Sequence, residues 1–394
     1  TPDQVYPLYG IRYAAYRAVA RMTNITAFTR LFGDSSLIVG FLSRLGYGLF
    51  PIEQTGSNFG LTVKHDTPYL TDVGTGTLTS DGLSIVNARF SATSFQLTRT
   101  AIGGHNFLGN NIVYPPGGRT GENCLLATKV MVPLDGPVRE NIGLLGSPPF
   151  EIPRTVKRDQ DFNHMRTGAA LRRNLAAKLR HNSVTIALYF IAQLTRFYGV
   201  VLIACFAGGL HGRIGFPVWG LAMLTIIAFS LGHSILVERA VQGFRSLQPR
   251  FCSIYDPIYW RHERFWKLSI GAYLGIFSGT PFKSLIVRLL GVRIGRMVFD
   301  DGCYIPERSL VTVGDYCTLG AGTVIQGHSL EDGAFKSDHI VIGSGCTLGA
   351  SAFVHYGVTV ADEAVIDPDA FLMKGGYVAS GTRWRGNPAV ELSQ

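Results

Sequence analysis

Residues 341–372 read VIGSGCTLGASAFVHYGVTVADEAVIDPDAFL, and one spacing runs through them. Ile342, Leu348, Val354, Val360, Ile366 and Leu372 recur at every sixth position, and Gly343 and Gly349 follow two of them directly. Upstream, Val313, Leu319 and Ile325 keep the same step before a break, with Gly314 and Gly320 behind the first two. A period of six matches neither an amphipathic helix nor an alternating strand. It fits a triangular solenoid, in which each six-residue block makes one face and eighteen residues close a coil. The aliphatic side chain then points inward and stacks on its equivalent in the next coil. Glycine and other small residues suit the corners, where positive φ or crowding excludes larger side chains.

Working outward, a weaker form of the pattern lies nearer the N-terminus. Ile102, Leu108, Tyr114 and Leu126 share a six-residue lattice, with Thr120 between the last two. Ile102-Gly103 aligns with Ile342-Gly343, Leu108-Gly109 with Leu348-Gly349, and Gly146-Ser147-Pro148-Pro149 with Gly386-Asn387-Pro388-Ala389, each pair 240 residues apart. The approaches match too: Tyr6-Pro7-Leu8-Tyr9 parallels Tyr255-Asp256-Pro257-Ile258-Tyr259, and Arg44-Leu45-Gly46 parallels Arg288-Leu289-Leu290-Gly291. The chain reads as a duplication of one module, an amphipathic lead-in followed by a solenoid.

Between the two copies lie two apolar runs, 184–210 and 214–237, each exceeding the roughly 20 residues that cross a bilayer. Their connection, His211-Gly212-Arg213, is too short for a domain, so they read as a transmembrane helical hairpin with both flanks on one side. Arg154, Lys157, Arg158, Arg166, Arg172, Arg173, Lys178 and Arg180 precede the first run; Arg239, Arg245, Arg250, Arg261, Arg264 and Lys267 follow the second. Basic flanks stay cytoplasmic, so both soluble modules are expected there, in an integral protein of the inner or plasma membrane. Residues 268–290 are apolar but interrupted by Pro281, Lys283 and Arg288, and read as a bent or interfacial amphipathic segment.

Composition agrees with lipid contact. Of 394 residues, 46% are hydrophobic and 16% charged, against about 25% charged in soluble domains. The net charge of +9 crowds beside the apolar runs, which favours anionic lipid headgroups and argues against nucleic acid. Six cysteines form no CxxC pair and no zinc spacing, so they read as small core residues of a reducing compartment, and no metal is expected. The start, Thr1-Pro2-Asp3, has neither an initiator Met nor a signal peptide and reads as that of an excised fragment.

The repeat closing in Trp384-Arg385-Gly386-Asn387-Pro388-Ala389 resembles the left-handed β-helix acyltransferases, whose coils commonly end in a Gly-x-Pro-Ala segment. Two such modules alternating with a membrane pair resemble, over essentially the whole chain, the C-terminal region of membrane-bound nonribosomal peptide synthetases of the ε-poly-L-lysine synthetase type. The resemblance implies a mainly β chain with membrane α: two left-handed parallel β-helix domains joined by a transmembrane helical hairpin. The domains expected are 1–50 helical lead-in, 51–153 first and degenerate β-helix, 154–183 basic linker, 184–238 membrane helices, 239–291 second lead-in and 292–394 second β-helix. It also implies an adenylation domain, which uses ATP, and a carrier domain bearing phosphopantetheine. Neither motif is present here: Leu231-Gly232-His233-Ser234-Ile235 looks like a carrier's attachment site but lies inside an apolar run. Both partners are expected outside this sequence. Solenoids of the family often trimerise; here homo-oligomers or packing of the two β-helices within one chain are both open.

Acyl transfer to an amine needs a base near neutral pH, donors for the oxyanion and a slot for the thioester arm. The resemblance implies a histidine beside a coil, near a loop that interrupts the repeat. The break after Ile325 holds His328, Glu331, Asp332, Lys336, Asp338 and His339. His328 is the candidate base, Glu331 or Asp332 its orienting carboxylate, and Lys336 a partner for an anionic intermediate or the pantetheine phosphate. His339 and His355 are candidate substrate contacts; His355 follows inward Val354, so its side chain is expected to point outward. A solvated polar loop without a catalytic role is the plain alternative. Arg196, in mid-span, either lines a polar path or contacts substrate, or else pairs with a neighbouring helix or snorkels. The first module has Ala88 at the place of His328 and no acidic pair, leaving His105 with Asn106 and Asn110, or His65 and Asp66, as local candidates. It reads as a degenerate copy. Neither module has a metal-ligand cluster or a phosphate-binding loop, and Gly103-Gly104 and Gly117-Gly118 are coil corners.

The expected activity is transfer of an amino acid from a carrier thioester to an amine. Two rivals stand beside it: a coenzyme-A-dependent acetyltransferase acting on a membrane-proximal sugar or lipid, and a non-catalytic scaffold or export gate with Arg196 and Gln193 lining a passage.

Overall fold

The computed structural model describes residues 2–33, 35, 37–49, 63–154, 161–165, 168–269 and 274–393. Two compact units divide the chain: one comprises Thr1–Asn182, Cys252–Glu263 and Leu330–Phe335, the other Ser183–Phe251, Arg264–Ser329 and Lys336–Gln394. Lys157, Arg158 and Arg166 of the basic flank, and the opening of the expected 51–153 domain, lie outside the described residues.

In the second unit the six-residue period becomes a three-faced parallel β-helix. One face stacks Arg293–Ile294, Val311–Val313, Ile340–Ile342, Thr359–Val360 and Tyr377–Val378. A second runs from Phe299–Asp300 through Thr318–Leu319, Thr347–Leu348 and Val365–Ile366 to Arg383–Arg385, where antiparallel Val390–Glu391 closes it. The third holds Val324–Ile325, Phe353–Val354 and Phe371–Leu372. Partners in regular coils are eighteen residues apart, as in Ile342 beside Val360 beside Val378. The nine lattice positions are all at most 4% exposed and share one core. Each strand has only two or three residues, so a single inward side chain per face carries the packing, and a wrong residue has no neighbour to compensate. At the corners the coils nearly touch: a Cβ on Gly349 would lie 2.4 Å from the amide nitrogen of Pro368.

The break after Ile325 is an antiparallel hairpin, with His328 opposite Ser337 and Ser329 opposite Lys336. It lengthens one coil, so that Val313 pairs with Ile342.

The first unit repeats this plan more fully than its sequence suggests. Ile102, Leu108, Tyr114, Thr120 and Leu126 are buried as expected. Tyr114 and Thr120 are tolerated there because their hydroxyls bond each other at 2.8 Å. A further coil precedes them: Val73 pairs with Ile102, Thr79 with Leu108 and Ile85 with Tyr114. The same kind of hairpin interrupts it, Ala88–Phe90 against Ser94–Leu97, with Val5–Pro7 added on the outer edge. Three helices lead in: α1 (Ile11–Thr23), α2 (Thr26–Phe32) and α3 (Leu37–Arg44).

The two apolar runs are α4 (Gly168–Ile214) and α5 (Pro217–Val241), reversing at Gly215 with φ +74°. Helix α4 begins well before the apolar run; within its polar first part Arg172, Arg173 and Arg180 are exposed, while Lys178 is 0% exposed, pairs with Glu263 at 2.8 Å and lies over the Tyr259 ring. Further along, Thr195 meets His233 at 2.9 Å, and Ala207 packs with Val218 and Ala222. Both helices are long and apolar enough to cross a membrane, and their outer side chains lack protein cover: Leu202, Phe206, Leu221 and Leu224 are 65–71% exposed. After them come α6 (Pro257–Leu268) and α7 (Pro281–Leu290), the latter starting at the proline that interrupts the expected segment.

Candidate active site

The hairpin of the second unit starts beside a buried acid. Glu307 precedes a single 3-10 turn, Arg308–Leu310, that delivers the chain into the strand Val311–Val313. Its side chain is 0% exposed and three groups converge on it. Trp266 Nε1, from α6, donates to Oε1 at 2.6 Å, and the amide of Gly327 donates to Oε2 at 2.8 Å. His328 Nδ1 lies 2.8 Å from Oε1, within ion-pair distance but off the line of a straight hydrogen bond. The approach is close at Gly327: a Cβ there would lie 3.1 Å from Glu307 Cβ, so the acid would have to give by a few tenths of an ångström. The indole of Trp266 covers the imidazole, their centroids 4.3 Å apart.

Two N–H groups replace the water this carboxylate lost on burial. The imidazole beside it has Nδ1 within ion-pair distance of the acid and its plane covered by the indole. His328 retains 13% exposure of its side chain. Next to Glu307, buried Arg308 pairs with Glu238 of α5, so a second internal ion pair ties the 3-10 turn to the end of that helix.

The remaining sequence candidates fall in varied surroundings. Glu331 is half-buried in the turn Glu331–Gly333, and the side chain of Asp332 lies outside the described residues. Lys336 is buried in the hairpin at 3% exposure, while His339 is exposed, its amide bonded to Asp338. His355 is buried, lying against Phe353, Tyr356 and Phe371 and not in the core that Val354 shares, and its Nδ1 accepts from the Tyr356 amide at 3.0 Å. Arg196 sits on α4 and donates to Gln193 one turn back at 2.5 Å. Among the described residues no group of three or more His, Cys, Asp or Glu is placed to hold a metal ion.

In the first unit the corresponding places hold Thr67, Asn87 and Ala88. Ala88 is buried with Tyr6, Tyr16 and Phe95. Asp66 accepts the amides of Asn87 and Ala88. His65 is buried edge-on against Tyr47, and burial pushes its pKa down to about 4. His105 occupies a corner at φ +55°, and Asn106 bridges the carbonyls of Gly103 and Gly121.

Sequence reasoning missed Glu307 and Trp266. Neither belongs to the hairpin, and no spacing links them to His328. A buried acid directly before an arginine that also needs a partner was the available signal.

The family "Hexapeptide repeat of succinyl-transferase" matches residues 310–335 and 339–367. Delta-poly-L-ornithine synthetase of Acinetobacter baumannii (strain AB307-0294) is 24% identical over 340 residues, covering 82% of this chain. This chain resembles a poly-amino-acid synthetase. The match takes in both units of the poly-amino-acid-synthetase-like chain, which spans only about a quarter, 24%, of that protein's length. Among solved structures, a hexapeptide-repeat acetyltransferase from Vibrio cholerae is 15% identical, with 30% of this chain and 85% of that one aligned at a TM-score of 0.26. A maltose O-acetyltransferase from Clostridium difficile 630 is 14% identical, with 40% and 96% aligned at 0.26. A galactoside acetyltransferase solved with coenzyme A is 13% identical, with 42% and 82% aligned at 0.26.

Proposed function

We propose that this chain is the transfer region of a membrane-bound poly-amino-acid synthetase, forming an amide between an amino acid held as a carrier thioester and an amine. His328 is the general base. The Glu307–His328 contact under Trp266, at the one hairpin that interrupts the second β-helix, is the observation that carries this reading. Glu307 takes the orienting role that the sequence suggests for Glu331 or Asp332. With Nδ1 turned to Glu307, Nε2 accepts the amine proton as the C–N bond forms. It returns that proton to the sulfur as the C–S bond breaks, so the dyad ends as it began. Lys336, buried in the hairpin, holds the base in place, and His339 lies on the exposed side where the donor's arm arrives.

The donor reaches the site on phosphopantetheine, and the ATP-dependent activation that charges it belongs to an adenylation domain outside this sequence. Helices α4 and α5 cross the bilayer as a hairpin, since their apolar side chains are uncovered by protein and water is a poor partner for them. The basic residues on both flanks, Arg172, Arg173 and Arg180 before and Arg239, Arg245 and Arg250 after, support a cytoplasmic side for both soluble modules.

The test is single-turnover transfer by the chain in lipid nanodiscs, from a carrier charged with labelled amino acid to the free amino acid. His328→Ala is expected to abolish amide formation while the carrier still docks. Unchanged transfer would remove His328 from the chemistry. Consumption of acetyl-CoA without any carrier would replace the proposal by a coenzyme-A-dependent acetyltransferase.

A further inference from the structure

Helix α7 has two faces of opposite accessibility. Ile286, Val287 and Leu290 are buried on the start of the second β-helix, together with the stem of Lys283. The other face carries Phe282, Leu285 and Leu289, spaced three and four residues apart and 60%, 52% and 52% exposed. Ile276, in the turn Leu274–Phe277 just before, extends it at 59%, and the Phe277 ring meets that of Phe282. A soluble domain rarely leaves such a continuous apolar stripe in water.

Two observations identify what covers it. Arg239, in the last turn of α5, donates to the carbonyl of Leu289 through both Nε and Nη2, at 3.2 and 2.9 Å. The stripe therefore starts where the apolar helix ends. Arg288 is exposed on the same helix, and Arg293 and Arg296 are exposed just beyond it. An apolar face rimmed by guanidinium groups matches the boundary between acyl chains and anionic headgroups.

We infer that α7 is an in-plane membrane anchor, its Phe282–Leu285–Leu289 face seated in the headgroup layer of an anionic bilayer. The inference rests on the reading of α4 and α5 as membrane spans. Lipid contact at α7 holds the second β-helix by its first coil, leaving the later coils and the hairpin that bears His328 to be approached from the aqueous side. The anchor sinks roughly 5–10 Å, the usual depth of an amphipathic helix lying in the interface.

The experiment uses the whole chain in nanodiscs of phosphatidylcholine with phosphatidylglycerol, in a Cys205→Ser background, because Cys205 is the exposed cysteine and the other five are buried. A bimane label is placed singly at Leu285→Cys, at Leu224→Cys on α5, and at Tyr377→Cys in the fifth strand of the first face. Lipids spin-labelled near the headgroup are expected to quench position 285 about twofold more than position 377, and lipids labelled deep in the chain to quench 224 most. Quenching at 224 with none above the level of 377 at 285 would overturn the anchor while keeping the spans. Loss of quenching at 224 would overturn the spans themselves. Pyrene excimers at 285 in place of lipid quenching would mean that a second copy covers the stripe, and would also overturn the anchor.

Discussion

Replacing Glu307 by glutamine changes one atom and sets two requirements against each other. The carboxylate accepts from Trp266 on Oε1 and from the Gly327 amide on Oε2, and meets His328 Nδ1 on Oε1. The amide of glutamine has one accepting oxygen. If that oxygen faces Trp266 and His328, its NH2 opposes the Gly327 N–H, and a buried donor is stranded at a cost of about 1–3 kcal/mol. If it faces Gly327, the NH2 opposes the indole N–H and presents a donor to Nδ1. The imidazole then carries its proton on Nε2, the nitrogen that must accept one. The first arrangement loses stability and the second loses the base. With the wrong tautomer dominant, transfer is expected to fall by about 10²–10⁴-fold, the usual range for losing a general base. Glu307→Asp keeps the charge and shortens the reach, so it should retain part of the activity. The assay is single-turnover amide formation in nanodiscs from a charged carrier, run beside a denaturation curve for each variant. A Gln variant that loses stability by the stated amount yet transfers at the parental rate would refute the dyad and leave Glu307 as a scaffold group.

Three further outcomes follow from named contacts. Leu348, 0% exposed in the core of the second β-helix, should cost about 2–5 kcal/mol when replaced by alanine, read from urea midpoints at constant slope. Arg308→Leu strands the buried carboxylate of Glu238 and should cost about 3–5 kcal/mol, whereas Glu238→Gln with Arg308→Met should recover much of that loss in the same denaturation assay. His65 has its folded pKa depressed by burial from 6.5 to about 4, so the neutral form is the one the fold accepts. Its contribution is complete above pH 6.5 and is lost as pH falls from there to about 4, amounting to about 3 kcal/mol for the first unit; His65→Leu should flatten the pH dependence of urea unfolding across that window.

The second β-helix was legible because its lattice positions are all aliphatic and Gly314, Gly320, Gly343 and Gly349 directly follow four of them; the stacking physics acts on each six-residue block alone. The first coil of the first unit was hidden by two local features. Thr79 stands where Leu319 stands in the second copy, and the hairpin after Ile85 throws the next inward residue off the six-residue step. Polar residues inside α4 hid its true start, since Lys178 and its partner Glu263 lie far apart in sequence and only the folded chain neutralises them. The site was half legible. His328 could be found because it sits where the repeat fails. Glu307 and Trp266 could not, because the first lies one coil earlier, where Tyr304 bridges Val324, and the second on a helix outside the coils.

Comparing the two hairpins shows how little separates a scaffold from a candidate site. Both copies place a backbone amide at the hairpin entrance that needs an acceptor, and both supply a carboxylate. Asp66 accepts the amides of Asn87 and Ala88 in the first unit; Glu307 accepts that of Gly327 in the second. A buried acid at this place therefore has a structural reason to exist, and by itself argues nothing about catalysis. The difference is in the neighbours. Around Asp66 the chain puts Asn87, whose amide group donates to the carbonyls of Leu70 and Thr98, and an alanine packed under Tyr16 and Phe95. Around Glu307 it puts a glycine small enough to let the acid approach, a histidine within reach of the same oxygen, and an indole that both bonds the acid and covers the ring. Packing alone would be served by the first set, in which a hydrogen-bonded asparagine and a buried alanine lie beside the acid. Keeping an ionisable ring at that position, partly open to solvent, costs desolvation and packing that a structural cap does not require. That excess over structural need, more than the presence of an acid or a histidine, is the reason to assign proton transfer to the second unit and not to the first.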